Sequence, residues 1–388
     1  MKIIVIGGDG FCGWPLSLRL SNNGNEILII DNLSRRNIDI KYDIKSLSEI
    51  KDINTRINTW KQISNYNITY VNIDVSKDFE KLCDTIKTFQ PNTIIHLGEQ
   101  RSAPFSMKNS ETKRYTVDNN LNGTHNILNA IIEVDKNIHL VHLGTMGVYG
   151  YGTIPDTVIP EGYVTVEMTN SIGVKGQVEI LHPSYPGSIY HMTKTQDALF
   201  FQFFAKNYKL KITDLHQGII WGINTKETLM HPDLINRFDY DSDYGTVLNR
   251  FIMQSACNIP LTIYGTGYQT RAFIHIENSI DCIELAIKNP PIIGDRVKIF
   301  NQVTETHTLI NLANLIKETF VNTEISYLEN PRNELISNDL KVSNTQFLNL
   351  GLEPIYLTKE KIIEIYNFII NNKKNIDHKC IYPLSFWK

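Results

Sequence analysis

The chain has 388 residues with 42% hydrophobic and 20% charged side chains, the composition of a soluble globular protein, and its length implies two lobes or one large α/β domain with an appendage. A formal net charge of −3 leaves no electrostatic case for nucleic acid or an anionic membrane, and no apolar run approaches the ~20 residues that span a bilayer. The five cysteines lack CxxC or metal-ligand spacing. Cys83, Cys257 and Cys282 lie in apolar stretches and read as core thiols of a reducing compartment, and no metal is expected.

The sequence starts directly on a buried-strand pattern, Lys2-Ile3-Ile4-Val5-Ile6, with no signal or transit peptide ahead of it. The expected location is the cytoplasm, or an organelle stroma if the chain is a mature form. Further short apolar strands are predicted at 27–30, 69–73, 93–97 and 139–143, and 212–215 with 218–221 read as one more strand and its exit. Helices are predicted between them at 14–22, 79–88 and 116–133. This alternation implies βαβ units with right-handed crossovers, hence an α/β fold with a Rossmann-type, doubly wound parallel sheet. Residues 35–66 are long and polar for a connection, and 46–63 are expected to hold a helix of their own. Beyond about 223 the pattern is less regular, with helices at 311–320 and 359–371. No linker or repeat separates the parts. The expected division is a dinucleotide-binding domain over 1–222, to which later segments return, and a smaller, interleaved C-terminal substrate-binding lobe over 223–388.

Gly7-Gly8-Asp9-Gly10-Phe11-Cys12-Gly13 follows the first strand and opens a helix. Its glycines fit both GxxGxxG and GxGxxG, spacings that permit a tight turn and close approach of backbone to a pyrophosphate. The helix N-terminus then offers amides and a dipole to the phosphates. Asp31 ends the second strand, where a carboxylate accepts hydrogen bonds from ribose hydroxyls and favours NAD. Arg35-Arg36 could instead hold a 2′-phosphate or be solvated loop residues; Asp31 would repel that phosphate, so NAD is preferred. Asp74 reads equally as a neighbour of the adenine amino group or as a strand-end turn residue.

Tyr190-His191-Met192-Thr193-Lys194 places a tyrosine and a lysine on one helical face. A free phenol is mostly protonated at neutral pH, and a nearby ammonium favours the phenolate. Tyr190 could then remove a proton from a sugar hydroxyl while Lys194 also holds the nicotinamide ribose. Thr145, after the fifth strand, could bond the same sugar oxygen. Leu199, Phe200, Phe203 and Phe204 form an apolar stripe wider than one buried face requires.

The chain resembles the extended short-chain dehydrogenases and, within them, the UDP-sulfoquinovose synthase family. The resemblance covers nearly the whole chain. It rests on the segment Val5 to Trp14, on Asp31-Asn32-Leu33 with Arg35-Arg36, and on Gly98-Glu99-Gln100-Arg101-Ser102-Ala103-Pro104. It continues through Leu143-Gly144-Thr145-Met146-Gly147, Asp214-Leu215-His216-Gln217-Gly218, Leu248-Asn249-Arg250-Phe251 and Gln269-Thr270-Arg271.

The resemblance implies a carbon–sulfur bond-forming enzyme of sulfolipid biosynthesis. It would convert UDP-glucose and sulfite, free or from a sulfite-donating protein, into UDP-sulfoquinovose through a 4-keto-5-ene, with tightly bound, recycled NAD. Thr145, Tyr190 and Lys194 are its catalytic set. Related dehydratases carry Asp-Glu where this chain has Met146-Gly147, so His191 is the candidate to move the elimination proton. Val148 stands where the family has a glutamate. The implied cofactor contacts are Gly7, Gly8, Asp9, Gly10, Phe11, Cys12, Gly13, Asp31, Asn32, Arg35, Arg36, Asp74, Val75, Leu97, Asn119, Tyr190, Lys194 and Gln217. The implied substrate contacts are Arg101, Thr145, Tyr190, Gln217, Thr246, Asn249, Arg250, Gln269, Thr270, Arg271 and Arg332, the arginines suiting the diphosphate. Arg101 could meet the sugar, the cofactor or sulfite. The segment 151–187 is longer than the family pattern. Relatives form homodimers through the helices near 116–133 and 190–206. The alternatives are another nucleotide-sugar 4-epimerase or dehydratase, and a non-catalytic NAD-binding sensor.

Overall fold

The computed structural model describes residues 1–150, 157–332, 334, 336, 338 and 340–382. Its first half alternates strands with one or two helices. The strands β1 (Lys2–Ile6), β2 (Glu26–Ile30), β3 (Ile68–Val71), β4 (Thr93–His96) and β5 (His139–Leu143) are joined by α1 (Gly13–Asn22), α2 (Ser34–Tyr42), α3 (Ile53–Ser64), α4 (Phe79–Phe89), α5 (Ala103–Met107) and α6 (Ser110–Val134). Ile3, Ile4 and Val5 are fully buried, so both faces of β1 are covered, as a parallel sheet with helices on each side requires. Each such side chain contributes ~1.5–3 kcal/mol of burial.

The middle of the chain supplies β6 (Val158–Ile159), β7 (Tyr163–Thr169), β8 (Lys175–Leu181), α7 (Ile189–Tyr208), β9 (Lys211–Gln217) and β10 (Ile219–Trp221). The rest adds α8 (Val247–Ala256), β11 (Leu261–Tyr264), β12 (Thr270–His275), α9 (Ile276–Lys288), β13 (Lys298–Gln302), β14 (Glu305–Thr308) and α10 (Leu309–Thr319). It ends with β15 (Ile325–Leu328), β16 (Lys341–Val342), α11 (Thr345–Asn349) and α12 (Lys359–Asn371). The main sheet has seven strands in the order β13-β9-β5-β4-β1-β2-β3, every pair parallel. Strand order reverses between β1 and β4, and the crevice at their carboxyl ends is where such sheets take ligands.

Helices α8, α10 and α12 build a second core around Phe251, Leu312 and Ile365, which also takes in Leu47 from the first half. The traffic runs both ways. β13 joins the main sheet, and Ile280 and Ile283 of α9 share a core with Trp14 and Leu18.

Several expected elements differ. The region 46–63 does hold a helix of its own, α3, but α2 precedes it and α3 starts only at Ile53, where the Asp52 carboxylate accepts the amides of Asn54 and Thr55. Residues 46–48 instead bond to the 236–238 segment, the Leu47 amide reaching the Phe238 carbonyl at 3.0 Å. Helix α6 begins at Ser110, six residues before the expected 116, because Asn109 and Thr112 form a capping box. Residues 219–221 form β10 in a separate sheet with β12 and β14. The long 151–187 segment holds a hairpin, β7 paired with β8 (Val164 opposite Ile180, Val166 opposite Val178); its first residues, 151–156, lie outside the described residues. The stripe on α7 divides: Phe204 is buried, whereas Leu199 and Phe203 are 57% and 54% exposed. No described helix is long and apolar enough to cross a membrane.

Candidate active site

A cavity of about 410 Å³ lies over the carboxyl ends of β1, β2, β4, β5 and β9. Asp31, Asn32, Asp74, Val75 and Asn119 line one end of it; Tyr190, Arg250, Arg271 and Arg332 line the other. Gly7, with φ +83°, allows the first turn, and a Cβ there would come within 2.7 Å of the Leu97 carbonyl carbon. A Cβ on Gly13 would strike the Gly7 oxygen at 2.1 Å, so the helix can start against the loop only with glycine. Helix α1 has no side-chain cap and no acidic residue in its first turn; its Trp14 amide bonds the Gly10 carbonyl at 3.0 Å and Pro15 has no N–H, so the Gly13 amide and the helix dipole are what it offers an anion in the cavity. These features fit a dinucleotide pyrophosphate.

Asp9, Gly10, Phe11, Cys12, Leu97 and Arg35 also line the cavity. Gly8 does not: its α-carbon packs on Ile29. Arg36 does not either, because its guanidinium bonds the Asp9 carboxylate at 2.5 and 2.9 Å, and buried Arg56 takes the same carboxylate at 2.9 Å. Arg35 pairs with Asp39 and Asp239 and lies 3.7 Å over the Tyr244 ring. With both arginines committed to carboxylates, the arrangement suits NAD better than a 2′-phosphorylated cofactor. Asp31 accepts the amides of Asp9 (2.9 Å) and Leu33 (2.7 Å); burial, then the nearby Asp9, push its carboxyl up to about 6. Asp74 accepts the amide and hydroxyl of Ser76 while lining the cavity, so it serves as a turn residue at the cofactor end.

Helix α7 starts where Ser188 accepts the His191 amide at 3.1 Å, and this puts Tyr190 and Lys194 on its cavity side. Thr145 lines the cavity beside Tyr190, its hydroxyl accepting the Gly147 amide at 3.1 Å. Lys194 Nζ donates to the Leu143 carbonyl at 2.7 Å and stands 2.8 Å from Glu99 Oε2 and 3.0 Å from His142 Nε2. Burial raises the Tyr190 phenol; Lys194 pulls it down, and Glu99 pushes it up again. The simple expectation that Lys194 favours the phenolate is thus outweighed in the free chain.

His191 is half-buried, packed on Gly147, where a Cβ would lie 2.2 Å from its Cδ2. Burial, then Arg332 and Arg271, push its imidazole down to about 3, so it is neutral at pH 7. Met146 lines the cavity, but Val148 turns into an apolar cluster with Tyr149 and Ile159.

Of the expected substrate contacts, Arg101, Thr145, Tyr190, Gln217, Thr246, Arg250, Arg271 and Arg332 line the cavity. Arg101 pairs with Asp239 at 2.7 Å. Arg271 pairs with Glu334 at 2.6 Å, and Arg250 reaches the Thr262 carbonyl at 3.4 Å. The Gln217 amide is engaged by Ser279 and Gln302. Asn249, Gln269 and Thr270 stand behind the wall, bonded to the Asp239 carbonyl, the Tyr264 carbonyl and Asn338 respectively. They shape the site from outside it.

Sequence reasoning gave no role to the buried polar network under Lys194. His142 Nδ1 bonds Asp214 at 2.8 Å, Asp214 bonds His216 at 3.0 Å, and His216 bonds the Tyr149 hydroxyl at 2.7 Å. A Cβ on Gly144 would meet Asp214 at 2.6 Å, which accounts for that glycine. The signal was present: polar side chains at 142, 214 and 216 interrupt core strands, and buried polar groups need partners.

A family model described as "NAD dependent epimerase/dehydratase family" matches residues 3–299. Over its full length the chain is 40% identical to a Spinacia oleracea protein named "UDP-sulfoquinovose synthase, chloroplastic", of which it covers 79%. It is 34% identical to UDP-sulfoquinovose synthase of Sulfolobus acidocaldarius, of which it covers 98%. Among solved structures it is similar to UDP-glucose 4-epimerase of Thermotoga maritima, determined with UDP-glucose, at TM-score 0.70 and 20% identity over 96% of this chain and 100% of that one.

Proposed function

We propose that this chain, which belongs to the NAD dependent epimerase/dehydratase family and within it to the UDP-sulfoquinovose synthases, makes UDP-sulfoquinovose from UDP-glucose and sulfite. The observation that carries this reading is the convergence of Thr145, Tyr190 and Lys194 on one cavity beside a dinucleotide-shaped glycine loop. Bound NAD supplies a store for the hydride of sugar carbon 4. Asp31 takes the adenosine ribose hydroxyls, and the glycine loop with the α1 N-terminus takes the pyrophosphate. The Tyr190 oxygen receives the proton of the carbon-4 hydroxyl and gives it back at the end of the cycle. Thr145 bonds the same sugar oxygen. Oxidation acidifies the carbon-5 proton, and loss of water across carbons 5 and 6 gives a 4-keto-5-ene to which sulfite adds at carbon 6.

Met146 and Gly147 offer no acid or base for that elimination. His191, whose neutral imidazole lines the cavity, is the group we assign to the carbon-5 proton. Arg250, Arg271 and Arg332 take the diphosphate; bound phosphate would offset the two arginine charges that now depress His191. Arg101 stands at the sugar or sulfite end. We further propose a homodimer through α6 and α7, supported by exposed Leu199 and Phe203, and a cytoplasmic or stromal location, supported by the absence of any described membrane-spanning helix. Residues 1–222, with the later strand β13, form the cofactor domain, and 223–388 supply most of the sugar-nucleotide lobe.

The test is incubation of the purified protein with UDP-glucose, with and without sulfite, and mass spectrometry of the products. A sulfite-dependent product with the mass of UDP-sulfoquinovose is expected; UDP-galactose, or no sulfite-dependent product, would refute the proposal.

A further inference from the structure

The Lys194 ammonium is ringed from three elements. Glu99 follows β4, His142 and the Leu143 carbonyl end β5, and Asp197 lies one turn further along α7. The Glu99 side chain is 3% exposed, with one oxygen 2.8 Å from Lys194 Nζ and the other 3.0 Å from His142 Nε2 and 3.2 Å from His96 Nε2. A buried carboxylate is costly unless it is paired, and this one sits behind the cation that serves Tyr190.

We propose that Glu99 is a positioning residue for the hydride-transfer pair: its carboxylate pins the Lys194 ammonium against the Leu143 carbonyl and offsets part of the pull that ammonium exerts on the Tyr190 hydroxyl proton. The inference rests on the reading of Tyr190 as the base. Tyr190 faces Lys194 and His191 from its own helix, Thr145 from the end of β5, and Glu99 and Arg101 from the segment after β4. Glu99 in turn faces His96 of β4, Thr124 of α6, His142 of β5 and Lys194 of α7, with Asp214 of β9 behind His142.

The charges in this ring oppose one another. Burial and Lys194 oppose a charge on His142, but Asp214 and Glu99 prevail and lift it to about 9. Burial pushes His96 down to about 4. The Asp197 carboxyl is driven well up, first by burial and then by Glu99. The cations Lys194 and His142 thus face the anions Glu99 and Asp214. Loss of the Glu99 charge leaves Lys194 free to act on Tyr190 with less opposition.

The test compares the pH dependence of kcat/KM for UDP-glucose in the NAD-loaded full chain and its Glu99→Gln, Glu99→Asp and Tyr190→Phe variants. Glu99→Gln is expected to move the acid limb about one pH unit lower, the small end of the range for a neighbouring charge. Glu99→Asp keeps the charge and shortens the tether, so its limb stays in place while kcat falls several-fold at unchanged KM. A folded Glu99→Gln protein whose limb stays put or moves up overturns the proposal. Should Glu99→Gln fail to fold, an unchanged kcat in Glu99→Asp overturns it, and a lower kcat at constant KM supports it. Tyr190→Phe separates the two levels: if it retains turnover, the base assignment itself falls, whereas an inactive Tyr190→Phe beside an unmoved Glu99→Gln limb sinks only the Glu99 role.

Discussion

Replacing Gly147 by alanine tests whether His191 is wedged where the structure puts it. The new methyl would lie 2.2 Å from His191 Cδ2 and 2.4 Å from its Nε2. Carbon atoms not bonded to each other rest at ~3.5 Å or more, so the ring must retreat by about 1 Å. It has little freedom to do so. The residue is half-buried, and the first turn of α7 is held by bonds from the His191 amide to Ser188 and from the Tyr190 amide to Ser106, each 3.1 Å. Overpacking of this kind costs ~1–3 kcal/mol, a fall in Tm of ~2–6 °C at roughly 2 °C per kcal/mol. Displacing a reacting group by ~1 Å lowers turnover by about 100-fold. Thermal denaturation and the sulfite-dependent assay read the two effects. Gly176→Ala is the control, because a Cβ there meets nothing within 4 Å, and His191→Ala in the Gly147→Ala background should recover much of the lost Tm by removing the overlap. A Gly147→Ala protein with the parent's Tm and turnover would refute both the packing argument and the placement of His191.

Tyr190→Phe should lower turnover by roughly 10²–10⁴-fold while calorimetry finds NAD affinity little changed; a several-fold loss of affinity would mean the hydroxyl serves binding instead. Asp31 is raised to about 6, so protonated Asp31 favours the cofactor-free fold below that pH, and this contribution is lost as pH rises through it. NAD affinity should therefore strengthen as pH climbs through about 6 and flatten in Asp31→Asn; a parent affinity independent of pH over that interval contradicts the ribose contact. Leu199→Glu with Phe203→Glu should convert a dimer to a monomer in light scattering, and a parent that is already monomeric rules out the α6/α7 interface.

What could be read from the sequence was mostly local. The run Lys2–Ile6 and the helix Lys359–Asn371 match their expected bounds, because period and capping lie within the segment itself. Thr145, Tyr190 and Lys194 converge on one cavity, as motif order suggested. The Glu99–Lys194 ion pair was not legible, since it joins the end of β4 to α7. Nor was the His142–Asp214 bond, which depends on the β5–β9 register. Arg36 shows the same limit from the other side: its position beside Asp31 suggested a cofactor contact, and only the fold brings Asp9 close enough to claim it. Asn249, Gln269 and Thr270 follow the pattern of binding residues, yet their bonds point into the scaffold.

The double clasp of Asp9 by Arg36 and Arg56 bears on how tightly a dinucleotide can be held. A glycine-rich loop left to itself samples many backbone states, and a ligand that must freeze it gives up affinity to that ordering. Here two guanidinium groups from outside the loop fix its second turn during folding. The cradle is preorganised before any ligand arrives, so contacts to the pyrophosphate count almost wholly toward residence time. Slow departure is what an enzyme needs when it must hand a hydride back to the same sugar it took it from.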